Sequence, residues 1–385
     1  MSTIKKIQPP NQTFLFNNKI RVTDYQIVIA LIPFLVFMFS CNSSANKKRT
    51  ENKKLGADIA FNELIMPVSK QTCFKDDDYH IWGSSVIKGE DGRYHLYYSR
   101  WPKESGHSAW VVQSEIAHAT AEKPLGPYAF KDLALPERGR SYWDGMTTHN
   151  PTIHRFNDKY YLYYMGTTGD GKLFEDELNW KHRNNQRIGV AIADSPEGPW
   201  RRFDQPLIDV SKSDSAHDAL MVSNPSVTKM ADGRFLLVYK AVAKRKKLPF
   251  GGPVVHLTAI SDSPAGPFEK QLEPVFTAED VDFPAEDPYV WRQGNGYLAI
   301  VKDMGGAFTN YGKSLLLFSS SDGFDWELTD KPLVTEFKVD WEDGTTDSFE
   351  RLERPQIYFR DGRPEVLFLA AYDGNNSFNI HVPLK

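Results

Sequence analysis

Short apolar runs, each followed by a turn and then by an aromatic run, succeed one another along most of the chain. The first is Ser84-Ser85-Val86-Ile87-Lys88, a turn at Asp91-Gly92, then Tyr94-His95-Leu96-Tyr97-Tyr98. Related pairs begin at Pro151, Pro225, Pro288 and Pro355, about 70 residues apart, with turns at Asn157-Asp158, Asp232-Gly233, Asn295-Gly296 and Asp361-Gly362. Asp-Gly or Asn-Gly between β-branched and aromatic runs is a strong hairpin signal. A third strand follows each of the first four hairpins and runs into a shared turn: Leu125-Gly126-Pro127-Tyr128, Glu197-Gly198-Pro199-Trp200, Ala265-Gly266-Pro267-Phe268 and, more loosely, Asp322-Gly323-Phe324. Sheet units repeated at this period predict an all-β fold, a five-bladed β-propeller over residues 59–385 with the strand Ser377 to Leu384 completing the last blade.

The first residues follow another pattern. Lys5, Lys6, Lys19 and Arg21 precede an apolar run from Ile27 to Phe39, and Ser40-Cys41 is followed by polar Asn42-Ser43-Ser44. Roughly thirteen apolar residues fall short of the ~20 that span a bilayer. Positive residues, a short apolar core and a small residue before a cysteine describe a signal peptide over 1–41 and resemble a bacterial lipoprotein processing site, with Cys41 as the lipidated residue. Residues 42–58, with Lys47, Lys48, Arg49, Lys53 and Lys54, then read as a flexible tether. The protein is expected to be exported and held at a bacterial membrane through that lipid alone.

Composition narrows the classes. The 385 residues are 41% hydrophobic and 25% charged, enough apolar material for a core and too much for a disordered chain. A net charge of −4 argues against a nucleic-acid partner. Two cysteines exclude a disulfide framework. The 13% aromatic content is absorbed by strand packing at positions such as Tyr94, Tyr97, Tyr160, Tyr163, Phe235, Tyr239 and Phe368. His95 and His154 lie within strands and read as structural, and Lys244-Arg245-Lys246-Lys247 reads as an exposed loop.

Propeller geometry locates the chemistry. The first strand of each blade lines the axis, so the residues that open those strands converge at one mouth, and the antiparallel second strand ends at the same mouth. The openings are Tyr79 to Gly83, Thr148-His149-Asn150, Val222-Ser223-Asn224, Ala285-Glu286-Asp287 and Leu352-Glu353-Arg354; the second-strand ends are Arg100, Met165, Lys240, Lys302 and Ala370. Loops are expected to add Trp143-Asp144-Gly145, His217-Asp218 and residues 180–187.

His-Asn-Pro, Ser-Asn-Pro, Glu-Asp-Pro and Glu-Arg-Pro at the inner strands resemble the glycoside hydrolase family 43 and 32 superfamily. That resemblance implies a carbohydrate-active enzyme with an Asp general base at the first inner strand, where this chain has Gly83-Ser84. It leaves Asp287 as the acid in an Asp-Pro step and Glu353 as the nearest match to a general acid. It also raises a structural Ca²⁺ at Glu286-Asp287, with no cofactor otherwise required.

Arg100, Lys240, Lys302 and Arg354 read as a cationic ring suited to a uronate or sulfated sugar. Histidines there suit proton transfer near neutral pH. The expected catalytic set is His149, His217, Asp144 and Asp287. The expected substrate-binding set is His80, Arg100, Asn150, Asn224, Lys240, His256, Glu286, Lys302, Glu353 and Arg354. The expected reaction is β-elimination at the non-reducing end of an anionic oligosaccharide, by a dehydratase or lyase. The alternatives are inverting exo-hydrolysis and non-catalytic glycan binding at a surface. Oligomeric state is left open.

Overall fold

The structure is a computed structural model that describes residues 59–175 and 177–385. The segments expected to be a signal peptide and a tether, with Cys41, lie outside the described residues.

Five sheets radiate from one axis. Blade I is β1 (Tyr79–Lys88), β2 (Tyr94–Pro102), β3 (Glu115–Ala121) and β4 (Ala129–Leu135); blade II is β5 (Thr147–Phe156), β6 (Lys159–Thr167) and β7 (Arg187–Ala193). Blade III is β8 (Met221–Lys229), β9 (Phe235–Val242), β10 (Val254–Ser261) and β11 (Glu269–Val275). Blade IV is β12 (Ala285–Gln293), β13 (Gly296–Asp303), β14 (Ser314–Ser320) and β15 (Glu327–Thr335). A small hairpin, β16 (Lys338–Asp340) and β17 (Thr346–Ser348), leads into blade V: β18 (Arg351–Arg360), β19 (Arg363–Tyr372) and β20 (Ser377–Pro383). The inner strands touch in a closed cycle, β1 to β5, β8, β12, β18 and back to β1.

Each predicted hairpin forms, and the aromatic second strands pack between blades. Tyr97 and Tyr160 share the core between blades I and II, Tyr163 and Tyr239 that between II and III, and Leu96 and Phe368 that between I and V. The shared Gly-Pro turns lead to a fourth, outer strand in blades I and III, while in blade II the outer edge is held by single bridges, Ile188 to Ile208 and Ile192 to Arg201. Blade V has no such turn. Its outer edge is closed by the start of the described chain, through bridges from Phe74 to Asn379 and Ile65 to Leu384. β20 is thus the third strand of the last blade, and the two ends of the described chain meet there.

One local feature recurs five times. Gly83, Asn150, Asn224, Asp287 and Arg354 all have φ between 52° and 60°, each at a break in register between the first and second strand of its blade. This left-handed conformation suits Gly and is tolerated by Asn and Asp, and in a long side chain such as Arg it is a strained position held by its surroundings. A bulge lets two successive side chains face one direction, which a regular strand forbids.

Candidate active site

The five bulge residues form a closed floor across the axis. Asn150 Nδ2 donates to Asn224 Oδ1 at 2.8 Å, Asn224 Nδ2 donates to Asp287 Oδ1 at 2.6 Å, and Arg354 reaches Asp287 Oδ1 and the Asn150 carbonyl, each at 3.4 Å. At Gly83 a Cβ would lie 3.6 Å from Asn150 Oδ1 and 3.7 Å from the Arg354 side chain, so the position where the resemblance expects a catalytic Asp faces the same ring. Asp287 is 3% exposed and bonded to neighbours on both sides. Its carboxylate ties the floor together and has little freedom to act as a base.

The residues one step earlier, Trp82, His149, Glu286 and Glu353, stand on this floor and wall a pocket of about 110 Å³. Trp101, His107, Trp110, Gln186, Lys240 and Arg351 complete the wall. Trp101 Nε1, His107 Nδ1, Asn150 Oδ1, Gln186 Nε2 and Arg354 Nε are buried in and under it with no hydrogen-bond partner in the protein. Leaving a buried polar group unpaired costs about 1–3 kcal/mol, so these five atoms call for water or a polar ligand to complete them.

On the side of blades I and II the wall is aromatic and imidazole. Trp110 stacks on His149 with ring centroids 4.7 Å apart, Trp101 meets it at 5.7 Å, and His107 stacks on Tyr372 at 4.4 Å. Burial, with Arg354 and His107 adding, holds His149 well below its ordinary value, so the ring is neutral at pH 7. Ser114 Oγ lies 2.7 Å from its Nδ1. Burial likewise takes His107 down to about 3.

On the side of blades III to V the wall is ionic. Lys240 Nζ lies 2.7 Å from Glu286 Oε1, Lys302 Nζ lies 3.1 Å from Glu286 Oε2, and Lys302 also pairs with Glu353. Burial alone would push Glu286 up, and the two ammonium groups overcome it, holding its carboxyl well below the usual range. Glu353 moves the other way: burial raises it most, Lys302 pulls it back, and the neighbouring Glu286 and Asp287 add to the rise, so that it ends above its ordinary value. Lys302, between two carboxylates, stays protonated. Two carboxyls are thereby set to opposite protonation tendencies, a pattern typical of acid–base sites.

Oxygens of Glu286, Asp287 and Glu353 lie within 4.8 Å of one another, close enough for a shared metal. The donor set does not fit Ca²⁺ there, because the Lys302 ammonium already bridges Glu286 and Glu353 and Arg354 reaches Asp287.

Several expected residues lie elsewhere. The predicted cationic ring is a charge-balanced chain, since Lys240, Lys302 and Arg354 each face a carboxylate. Arg100 is not in it. The partner of Trp82 is Ser99, and Arg100 pairs with Ile81. That one-residue offset turns its side chain to the other face, where it bonds Glu115 and lies over Tyr79 and Phe130. Asp144 is fully buried in blade II, held by Arg138, Arg202 and the Tyr164 hydroxyl. His217 is half-buried among groups that include Arg245 and Glu273, and neither it nor Asp144 lines the pocket. His80 stands behind Trp101 with Nδ1 on Ser377, and His256 lies on β10 beside Lys240.

Trp101, His107, Trp110 and Arg351 are not among the expected site residues, whereas Gln186 comes from the loop 180–187 expected at the mouth. Arg351 was legible in principle: two residues before Glu353 on one strand, it shares its face. Among the described residues no ion pair is found for it.

No family model matches the chain, and no curated protein does. Among solved structures, a family 117 glycoside hydrolase from the marine bacterium Zobellia galactanivorans superposes with a TM-score of 0.54 at 18% identity, covering 80% of this chain and 86% of the other. A thermostable family-43 glycoside hydrolase gives 0.53 at 14%, over 83% and 92%. An endo-arabinase from Bacteroides thetaiotaomicron gives 0.51 at 11%, over 84% and 97%. At these identities the likeness is one of fold, and the five-bladed propeller of this chain is the fold those glycoside hydrolases share.

Proposed function

We propose that the protein is a carbohydrate-active enzyme that acts on the terminal sugar of an anionic, polysaccharide-derived oligosaccharide, and that the reaction is β-elimination. The observation that carries the reading is one blind pocket with a neutral imidazole, His149, on one wall and a carboxyl held up, Glu353, on another. A pocket of about 110 Å³, closed below by the residue ring, suits one terminal ring rather than the middle of a chain. Trp82 and Trp110 supply stacking faces, and Arg351, which has no ion pair among the described residues, suits a uronate carboxylate.

Neutralising that carboxylate acidifies C5–H. His149 takes the C5 proton, the C–H electron pair becomes the C4–C5 double bond, the C4–O bond breaks, and Glu353 gives its proton to the departing oxygen. A C4 hydroxyl leaves as water, making the enzyme a dehydratase; a C4-linked sugar leaves as a shortened chain, making it a lyase. Export and lipid anchoring through Cys41 belong to the same proposal, resting on the N-terminal sequence.

The second reading is exo-hydrolysis. It is favoured by the opposed Glu286 and Glu353 and by the names of the structural neighbours. Against it, the two carboxyls are not open to water or to a sugar carbon between them, because the Lys302 ammonium bridges Glu286 and Glu353.

Uronate-ended oligosaccharides, followed by ultraviolet absorbance of the unsaturated uronate and by product mass, separate the readings. Elimination gives new absorbance and either loss of water or cleavage without added water. Cleavage with water added and no absorbance establishes hydrolysis instead, and binding without turnover establishes a glycan-binding protein.

A further inference from the structure

A second cavity, of about 410 Å³, lies on the other side of the wall that carries His149. Its lining includes Tyr79, Ser114, Glu115, Glu137, Arg140 and Thr148. It shares no lining residue with the axial pocket, and its rim residues Glu137 and Arg140 are exposed. Ser114 belongs to this cavity, while the ring it bonds, His149, belongs to the axial pocket.

We propose that Ser114 is a positioning residue that holds His149 with Nδ1 protonated and Nε2 bare, and that passes the proton gained by His149 into the second cavity. The proposal rests on the reading of His149 as the base.

The hydrogen-bond inventory carries it. Among the described residues Ser114 Oγ is the hydrogen-bond partner of His149, and His149 is the partner of that hydroxyl. A neutral imidazole has one N–H, and its tautomer is set by what the other groups around it can accept or donate. If Ser114 donated its O–H to Nδ1, the single ring proton would sit on Nε2 and the ring could not take a proton from a substrate in the pocket. If Nδ1–H donates to Ser114 Oγ, Nε2 keeps its lone pair and the serine O–H is free to donate into the cavity it lines. The cavity has room for water and is lined in part by Glu115, whose carboxylate also bonds Arg100.

The serine is held in place from both sides. Its N–H donates to the Trp110 carbonyl at 3.1 Å, at the end of the short helix α1 (Trp110–Gln113), and its own carbonyl accepts from Thr148 N at 3.0 Å. Trp110 covers one face of the imidazole and Trp101 meets the ring at an angle of 61°, so the polar way out of the ring on this side runs through Ser114.

The proton balance closes. Nε2 gains the substrate proton, and Nδ1 loses its own to Ser114 Oγ as the serine hydrogen passes to cavity water. Once the product has left, cavity water returns a proton through Ser114 to Nδ1, and Nε2 gives its proton to water in the emptied pocket, which replaces the one Glu353 gave up. The bound sugar is never crossed.

Two measurements on the full chain test this. In the first, the protein carries ¹⁵N-labelled histidine, and the His149 signals, identified by their loss in His149→Gln, report the tautomer. The expected pattern is protonated Nδ1 and bare Nε2 in the wild type and in Ser114→Thr, shifting toward the other tautomer in Ser114→Ala. An Nε2-protonated wild type, or no change in Ser114→Ala, overturns the proposal. In the second, kcat on uronate-ended oligosaccharides falls about 100-fold in Ser114→Ala with KM unchanged, and Ser114→Thr recovers most of it. A fall in both variants that follows a loss of thermal stability overturns the relay in favour of a packing role. If the wild type forms no unsaturated product, the elimination reading fails on its own, and the tautomer measurement still decides the bond between Ser114 and His149.

Discussion

The two sides of the mouth solve the burial of polar groups in opposite ways. On blades III to V, Lys240, Glu286 and Lys302 are paired by alternating signs along one chain, with Glu353 at its end bonded to Lys302 and held up toward its protonated form. On blades I and II, His80, His107 and His149 are buried among Trp82, Trp101 and Trp110 and lose their charge instead. Burial penalises a lone charge, so a group either finds a counter-ion or gives up ionisation. The ionic side therefore offers a proton donor and fixed charge, while the aromatic side offers a stacking face and a neutral acceptor. A substrate between them meets both halves of an acid–base reaction without either half neutralising the other.

That division breaks most severely at Glu353. Glu353→Gln removes the proton donor and keeps the shape, and turnover is expected to fall about 1,000-fold with binding retained, read from kcat and from calorimetric titration with oligosaccharide. Next comes the centre of the ionic side. Lys302→Met leaves two buried carboxylates facing each other without their shared cation, and denaturant unfolding should show a loss of about 3–5 kcal/mol. A loss under 1 kcal/mol would mean that solvent reaches this chain.

The aromatic side makes a pH prediction. His80 is held at about 4 and His107 at about 3, both by burial first, against 6.5 for a free imidazole. Below pH 6.5 the unfolded chain binds protons that the folded chain refuses, so stability is complete above pH 6.5 and falls as pH drops toward 4 and 3. His107→Phe keeps the ring on Tyr372 and removes one such group, so its melting temperature should fall less than that of the wild type between pH 7 and pH 5. An equal fall would show that His107 is charged in the folded protein. The smallest effect is expected at His217→Asn, which lies outside both sides and should leave turnover unchanged. Lost turnover there would place the reactive mouth elsewhere.

The repeat was legible because hairpins are local. Asp232-Gly233 or Asn295-Gly296 needs only its flanking strands to form, and Pro225 or Pro288 marks where an inner strand starts. The same reasoning identified His149, Glu286 and Glu353 as mouth residues, since strand polarity delivers them there, and all three line the pocket. It misplaced Arg100 because the end of the second strand was read one residue too far in blade I: Ser99 is the partner of Trp82, as Met165 is of His149 and Lys302 of Glu286, and one residue reverses the face. It also read the four cations by type, and the charge balance depends on which carboxylate each one reaches across blades.

Asp144 illustrates the same limit. Flanked by Trp143 and Gly145 it looks like an exposed loop acid, yet Arg138 lies six residues away and Arg202 arrives from beyond β7 to bury it. The sequence by itself determined the five-bladed fold, the axis and the positions that face it, because periodicity and turns act over a few residues. Only the tertiary structure decided which of those side chains are free to react. That depends on contacts between residues such as Lys302 and Glu353, or Ser114 and His149, which are separated along the chain and joined by closure of the ring.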